Sequence, residues 1–340
     1  RLVEIGTAEA ELWHCPNQEP FASMPIDGHL ENWALRSKNF KRWLCGRFYD
    51  DFGTAPAIET TEAALRVLEV KALRGPLFAT FIRMGEHDGV IYLDLGADDW
   101  RAVEITAIKW KVIDQAPVKF LRSPAMRPLP VPEPGECIEA LRPFLNVAGE
   151  ADFKLMVGWA MGTFMPKGPY AMMFLNGEHG SAKSTVQEML VNLIDPRESS
   201  RRGKPRDERD LAIAAYNTWI LDFDNLSKIN DWEADALCRL STGGAFATRE
   251  LHSDRGEIVF AAQRPVIING IPDLSPRADL NDRGPHLTLR AIAREDRRPE
   301  KELWEDFEKV RPGILGALLD GVAAALANIA TVKIEVYERM

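Results

Sequence analysis

The residues best placed to do chemistry lie in one short stretch, Gly177-Glu178-His179-Gly180-Ser181-Ala182-Lys183-Ser184-Thr185. Glycines allow backbone N–H groups to converge on an anion. A lysine that follows them brings a flexible point charge to the β- and γ-phosphates of a nucleotide. The next hydroxyl, Ser184, can ligate Mg²⁺. The implied chemistry is the binding of ATP with Mg²⁺ in a phosphate loop. The usual spacing is GxxxxGK[ST], and Ala182 stands where the second glycine belongs. A methyl group there is tolerable while φ stays negative, with Gly180 supplying the flexibility instead. The plain alternative is a Gly-rich turn ahead of a helix.

Such a loop works only if a strand leads into it and a helix leaves it. Both are legible. Tyr170–Leu175 is a short apolar run that fits a buried strand, and Val186, Met189, Leu190, Leu193 and Ile194 trace one face of a helix. That helix adds the partial positive charge of its N-terminus. A second apolar run, Thr218-Trp219-Ile220-Leu221-Asp222-Phe223-Asp224-Asn225, ends in acids about 40 residues after Lys183. Asp224 is the first candidate to hold the Mg²⁺ water shell, and Asp222, two residues earlier on the same side, is a possible second. Solvated acids capping a strand would read the same way. A third run, Arg264–Gly270, ends in Asn269, which can both donate and accept. It suits sensing a γ-phosphate or orienting water, although a lone asparagine there would also serve as a loop cap. Asp279-Leu280-Asn281-Asp282-Arg283 then precedes His286–Leu289, a possible last strand. Arg283 could reach a neighbouring subunit's nucleotide, and a surface Asp–Arg pair fits the same spacing.

The chain of 340 residues is 46% hydrophobic and 27% charged, enough to bury a sizeable core over two or three domains. No apolar run is read as a membrane span. It opens on Arg1 with no leader, which suggests a piece cut from a longer protein. Cys15, Cys45, Cys137 and Cys238 lie far apart, which argues against a zinc ribbon or disulfide framework and for a reducing cytoplasm. Net charge −9 excludes a wholly basic nucleic-acid coat but not a local basic channel. Residues 1–121 read as a mixed α+β module, with helices around Phe40–Leu44 and Thr61–Leu73 and strands at Val90–Leu95, Ala102–Ile105 and Trp110–Ile113. The proline-rich stretch 122–136 reads as an extended linker. A helical collar follows over 137–165, then the phosphate-loop domain over 166–295. A C-terminal helical segment covers 296–340, its rhythm interrupted at Pro312-Gly313. Two basic stretches, Arg36–Arg47 and Arg197–Arg209, could line a nucleic-acid channel, though a solvated helix face and a solvated loop explain them equally.

The order of these elements resembles the superfamily 3 helicases of the AAA+ class, in particular the helicase part of phage- and plasmid-type primase–helicases. The resemblance rests on Gly177–Thr185, Trp219–Asn225, Thr242–Asp254, Arg264–Ile271 and Asp279–Arg283, roughly a third of the chain. It implies a three-layer α/β, AAA+-like P-loop ATPase domain with an N-terminal α+β module and flanking helices. Lys183 and Ser184 would be the Walker A pair, Asp224 the Walker B acid, Asn269 sensor 1 and Arg283 the arginine finger. A hairpin before sensor 1 would grip single-stranded DNA with Arg249, His252 and Arg255. Its strands would be Phe246–Leu251 and Glu257–Ala262, and its turn Ser253–Gly256. The resemblance further implies a ring, most often hexameric, and an upstream primase domain in the same polypeptide. Many of these helicases carry two adjacent acids at Walker B, whereas the second position here is Asn225, which cannot act as a general base.

Two further readings fit parts of the sequence. A nucleotide-dependent switch or assembly ATPase, holding a partner without moving DNA, agrees with Asn225 and the acidic balance. A small-molecule P-loop kinase fits less of it, because no arginine-rich lid is evident and a kinase needs no hairpin before the third strand.

Overall fold

The computed structural model describes residues 1–199, 202–249, 257–270 and 277–333, with 245–249 and 257–261 described as backbone. The chain begins with α1 (Leu2–Ala8) and an antiparallel sheet of β1 (Glu11–His14), β2 (Pro20–Ile26) and β3 (His29–Ala34). Helices α2 (Lys38–Phe52) and α3 (Ile58–Leu73) cover it. Ser37 caps α2 by accepting from the Phe40 amide, and Gly53 ends it in the left-handed conformation that glycine tolerates. Leu2, Ile5, Met24, Phe40, Leu44, Leu65 and Leu68 form the core of this unit.

Next come β4 (Thr80–Phe81), β5 (Met84–His87), β6 (Val90–Asp94), β7 (Ala102–Ile105), β8 (Trp110–Ile113) and β9 (Lys119–Phe120). β5 to β8 form an antiparallel meander, and β4 pairs with β9. This meander does not close a separate core. Met84, Ile91, Leu93, Val103 and Ile105 join the same buried cluster as Phe307, Ile314 and Leu318 near the far end of the chain.

The proline-rich stretch is extended, as its composition dictates, but it is not free. Arg127 N donates to Pro196 O, Leu129 N to Leu95 O and Glu133 N to Pro312 O. Gly316 lets it pack this close, since a Cβ there would lie 1.9 Å from Glu133 O. A 3-10 turn at Ile138–Phe144 and α4 (Glu150–Gly162) then lead into the phosphate-loop domain.

That domain contains β10 (Met173–Asn176), α5 (Lys183–Ile194), α6 (Glu208–Asn217), β11 (Leu221–Leu226) and α7 (Asp231–Thr242). They are followed by β12 (Ala245–Arg249), β13 (Glu257–Ala261), β14 (Val266–Gly270), α8 (Ala278–Asn281) and β15 (His286–Thr288). The central sheet has the order β11-β14-β10-β15 and every pairing in it is parallel. A parallel sheet must be covered on both faces, and the alternation along β10 shows how. Met173 and Leu175 face α5 and the C-terminal helix, while Met172 and Phe174 face the side of α6 and α7. The result is a three-layer α/β arrangement. β12 and β13 form a separate two-stranded hairpin with Ala245 opposite Ala261 and Arg249 opposite Glu257.

The last helix, α9 (Glu300–Asn328), runs unbroken through Pro312. The expected interruption at Pro312-Gly313 is therefore corrected: the 312 position costs one ladder bond, and tight packing of Ile314, Leu315, Leu318 and Leu319 offsets it. α9 also corrects the reading of apolar runs. It is long and apolar enough, by length and composition, to cross a membrane, but Ile314, Leu315, Leu318, Leu319 and Val322 are built into the core and its Asp320 accepts from Trp110 Nε1 at 2.7 Å.

Candidate nucleotide site

The site forms where β10, β11 and β14 end beneath the start of α5. Their register sets Leu175 beside Asn269, and places Asp222 and Asp224 on the pleat face turned toward α5. Ser184 Oγ donates to Asp224 Oδ1 at 2.6 Å. Asn269 Nδ2 donates to the same oxygen at 2.5 Å and to Gln187 Oε1 at 2.9 Å. The Asn225 amide in turn donates to Asn269 Oδ1 at 2.7 Å. The residues singled out at three separate strand or helix ends thus meet around one carboxylate. Both bonds fall on Oδ1, so Oδ2 is the oxygen left to accept from water.

The loop itself curls around its own lysine. Lys183 Nζ donates to Gly177 O at 2.6 Å and to Glu178 O at 2.9 Å. Partial burial lowers the Lys183 pKa, and the nearby Asp224 opposes that shift. α5 starts with no side-chain cap on its first amides, which leaves them available to an anion. Gly180 sits at φ +81. Ala182 sits at φ +58, so the expectation of a negative φ there is corrected: the backbone adopts the conformation that the usual glycine would supply, and alanine bears the strain.

Asp222 shares the face of Asp224 but lies one pleat deeper, and it is fully buried. It is bonded to Arg197 and does not touch Ser184. Burial pushes its carboxyl up to about 7 against the pull of Arg197 and Arg202. Asp222, the possible second metal ligand, is thus engaged by Arg197 through Oδ1, while its Oδ2 is buried with no hydrogen-bond partner among the described residues. Arg197 also donates to Ile220 O at 2.8 Å, and Asp195 accepts from the amides of Trp219 and Ile220. The Arg197–Arg209 stretch is thus partly structural: Lys204 pairs with Glu233, and Arg206 with Asp210. Arg36, Lys41 and Arg47 are likewise matched, by Glu62, Glu69 and Glu9.

Arg283 is placed at the opposite end of β10 from the loop, where its carbonyl accepts from Met172 N. It is half-buried, with Nε and Nη1 enclosed and without a hydrogen-bond partner among the described residues. It cannot reach the phosphate loop of its own subunit. Of the hairpin residues, Arg249 is described only as backbone at the end of β12, and His252 and Arg255 lie outside the described residues.

Three residues at the site escaped the sequence reading. Gln187 lies one helical turn after Lys183 and is buried against Asn269, a polar residue on an otherwise apolar face. Asn146, from the segment before α4, donates to Ser181 O at 2.9 Å and Arg290 O at 2.6 Å. Arg297 lies over the loop, and a Cβ built on Gly180 would stand 2.7 Å from its Nη2. Only Gln187 had a usable signal, its i+4 spacing from the lysine.

Among the described residues no cluster of three or more His, Cys, Asp or Glu side chains forms a ready metal cage. Mg²⁺ does not need one beside a nucleotide, since phosphates and waters complete its shell around one or two protein oxygens. Ser184 Oγ and the Asp224 carboxylate, already in contact, are the groups that would hold it.

Comparison with known proteins gives a family and a fold. Residues 138–338 match the family model described as "Actinomycete integrative conjugative element replication protein". The chain belongs to this family. The match spans more than half of the sequence, from the 3-10 turn before α4 to beyond the end of α9. Comparison with curated proteins finds no match. Among solved structures, this replication protein resembles the apo C-terminal region of NrS-1, at 13% identity with TM-score 0.51, covering 97% of this chain and 75% of that one. It also overlaps SCCmec type IV Cch, described as an active helicase, at 13% identity and TM-score 0.43, over 95% of this chain and 62% of that one. For JCV helicase the values are 14% and 0.35, over 55% of this chain and 52% of that one. The first likeness establishes the shared fold. The family is that of a replication protein of a mobile element, and the fold is shared with the NrS-1 region.

Proposed function

We propose that this replication protein is an ATP-dependent DNA helicase or translocase that acts when a mobile element is copied in the cytoplasm. The observation that carries the reading is the convergence of Ser184 and Asn269 on Asp224 beside the uncapped start of α5. In this reading Lys183 neutralises the β- and γ-phosphates. Ser184 and Asp224 hold Mg²⁺, which supplies the charge that the leaving phosphate requires. Asn269 fixes the Asp224 carboxylate and, through the Asn225 amide, ties the end of β11 to β14. Arg283 acts on the nucleotide of the next subunit in a ring, a hexamer by the family resemblance. The β12–β13 hairpin carries Arg249, His252 and Arg255 to the backbone of single-stranded DNA, where binding is salt-sensitive and sequence-independent. A primase domain upstream belongs to the same proposal.

One observation favours a second reading. Asn225 leaves Asp224 without an adjacent carboxylate, and its amide is committed to Asn269. A nucleotide-dependent switch, holding a partner without moving DNA, would need no faster hydrolysis. Steady-state ATP hydrolysis with and without single-stranded DNA separates the two. The motor reading expects stimulation by DNA, loss of turnover in Lys183→Ala, and loss of unwinding with retained ATPase in Arg255→Ala. Nucleotide binding with no stimulation and no unwinding would leave the switch.

A further inference from the structure

The segment that follows β15 is stitched to the phosphate loop at three places. Leu289 N donates to Asn176 O at 2.8 Å and Ile292 N to Gly180 O at 3.0 Å. Asn146 bridges Ser181 O and Arg290 O from the other side. These bonds fix the short 3-10 turn Arg294–Asp296 beside the loop, and Arg297 follows it directly. The Arg297 side chain returns over Gly180, close enough that a Cβ on that glycine would stand 2.7 Å from Nη2 and 3.5 Å from Cζ. Its Nε donates to Ile292 O at 3.1 Å, which orients the guanidinium and leaves both terminal nitrogens for another acceptor.

Its neighbour Arg298 is bonded to Asp306. Among the described residues Arg297 has no carboxylate partner, in a chain whose basic side chains are otherwise matched at many positions. An exposed arginine held over a glycine-rich loop, next to an uncapped helix start, is a fork of donors with its acceptor still to come. We propose that Arg297 contacts the terminal phosphates of the bound nucleoside triphosphate in cis, as a second cation beside Lys183. The inference rests on residues 177–185 being the nucleotide site. Glycine suits position 180 on two counts, its φ of +81 and the room it leaves for the Arg297 guanidinium.

The test is titration with a fluorescent ATP analogue, with Mg²⁺, for the wild type, Arg297→Ala, Arg297→Lys and Lys183→Ala. Arg297→Ala should weaken binding by on the order of tenfold, the size of a charge-assisted contact. Arg297→Lys should recover part of the loss, since it keeps the charge but not the fork. The deficit should shrink as salt rises, which a purely structural role would not produce. Arg297 is exposed with one backbone bond, so both variants should keep the wild-type melting temperature. Wild-type affinity in Arg297→Ala, with binding lost in Lys183→Ala, would overturn the role of Arg297 and leave the site intact. Wild-type affinity in Lys183→Ala would instead overturn the nucleotide site itself.

Discussion

Ala182 holds the left-handed backbone that a glycine takes freely, and the reason lies in where the chain must turn. The loop reverses direction within a few residues so that the α5 amides and Lys183 point at one volume. For an alanine that conformation costs roughly 1–2 kcal/mol, partly offset because glycine is more disordered when unfolded. Ala182→Gly should therefore raise stability by about 0.5 kcal/mol and bind nucleotide at least as well. Ala182→Val, with its branched Cβ, should be clearly destabilised. Denaturant titration of both variants checks this, and a glycine variant less stable than the wild type would refute the strain. The departure from the usual motif was legible in the sequence, but its φ was not. A pattern of residue types shows which position is unusual, and only the assembled turn shows what that position must do.

β11 illustrates what element-level patterns can and cannot reveal. Its apolar run and acidic end mark it as a buried strand meeting the loop, and alternation correctly sets Asp222 and Asp224 on one face. What alternation cannot supply is depth or partner. Asp222 is bonded to Arg197, 25 positions away, and the adjoining Asp195 is bonded to Arg83, 112 positions away in the turn before β5. Pairings that distant leave no local signal, and so a buried ionic chain between the antiparallel meander and the β11 strand was invisible. It has a measurable consequence. Arg197, Arg202 and Asp195 surround Asp222, yet burial dominates and its folded pKa lies at about 7. An acid that holds its proton more tightly in the folded state contributes fully at low pH. That contribution declines as pH rises from the unfolded value, about 4, to about 7. The stability of the wild type relative to Asp222→Asn should therefore fall over that window and level off above it. Urea unfolding of both proteins at pH 5, 6, 7 and 8 reads the difference, and a constant difference across the series would show that Asp222 stays ionised throughout.

At the scale of the molecule, the boundary drawn at the prolines separates less than composition implies. The stretch 122–136 hydrogen-bonds to both sides, and the β5–β8 meander shares its core with α9. Composition registers chain stiffness but not what the stiff segment lies against, which is why a linker was legible and its packing was not. The same scale governs Arg283. It lies at the end of β10 away from its own loop, so any effect it has on a nucleotide must cross to another subunit. This sets up a complementation experiment. Lys183→Ala subunits lack a working loop but keep Arg283, and Arg283→Ala subunits have the reverse. Each variant alone should be inactive as an ATPase. In a mixed ring, an interface with the loop of the second and the arginine of the first is intact, and random equal mixing should make about one quarter of interfaces intact. Hydrolysis should therefore reappear on mixing, peak near equal proportions and vanish toward either pure variant. Activity that stays absent at every ratio, with mixed assemblies confirmed by tagged pull-down, would mean that Arg283 is a structural residue beneath β10 and that each subunit must complete its site by itself.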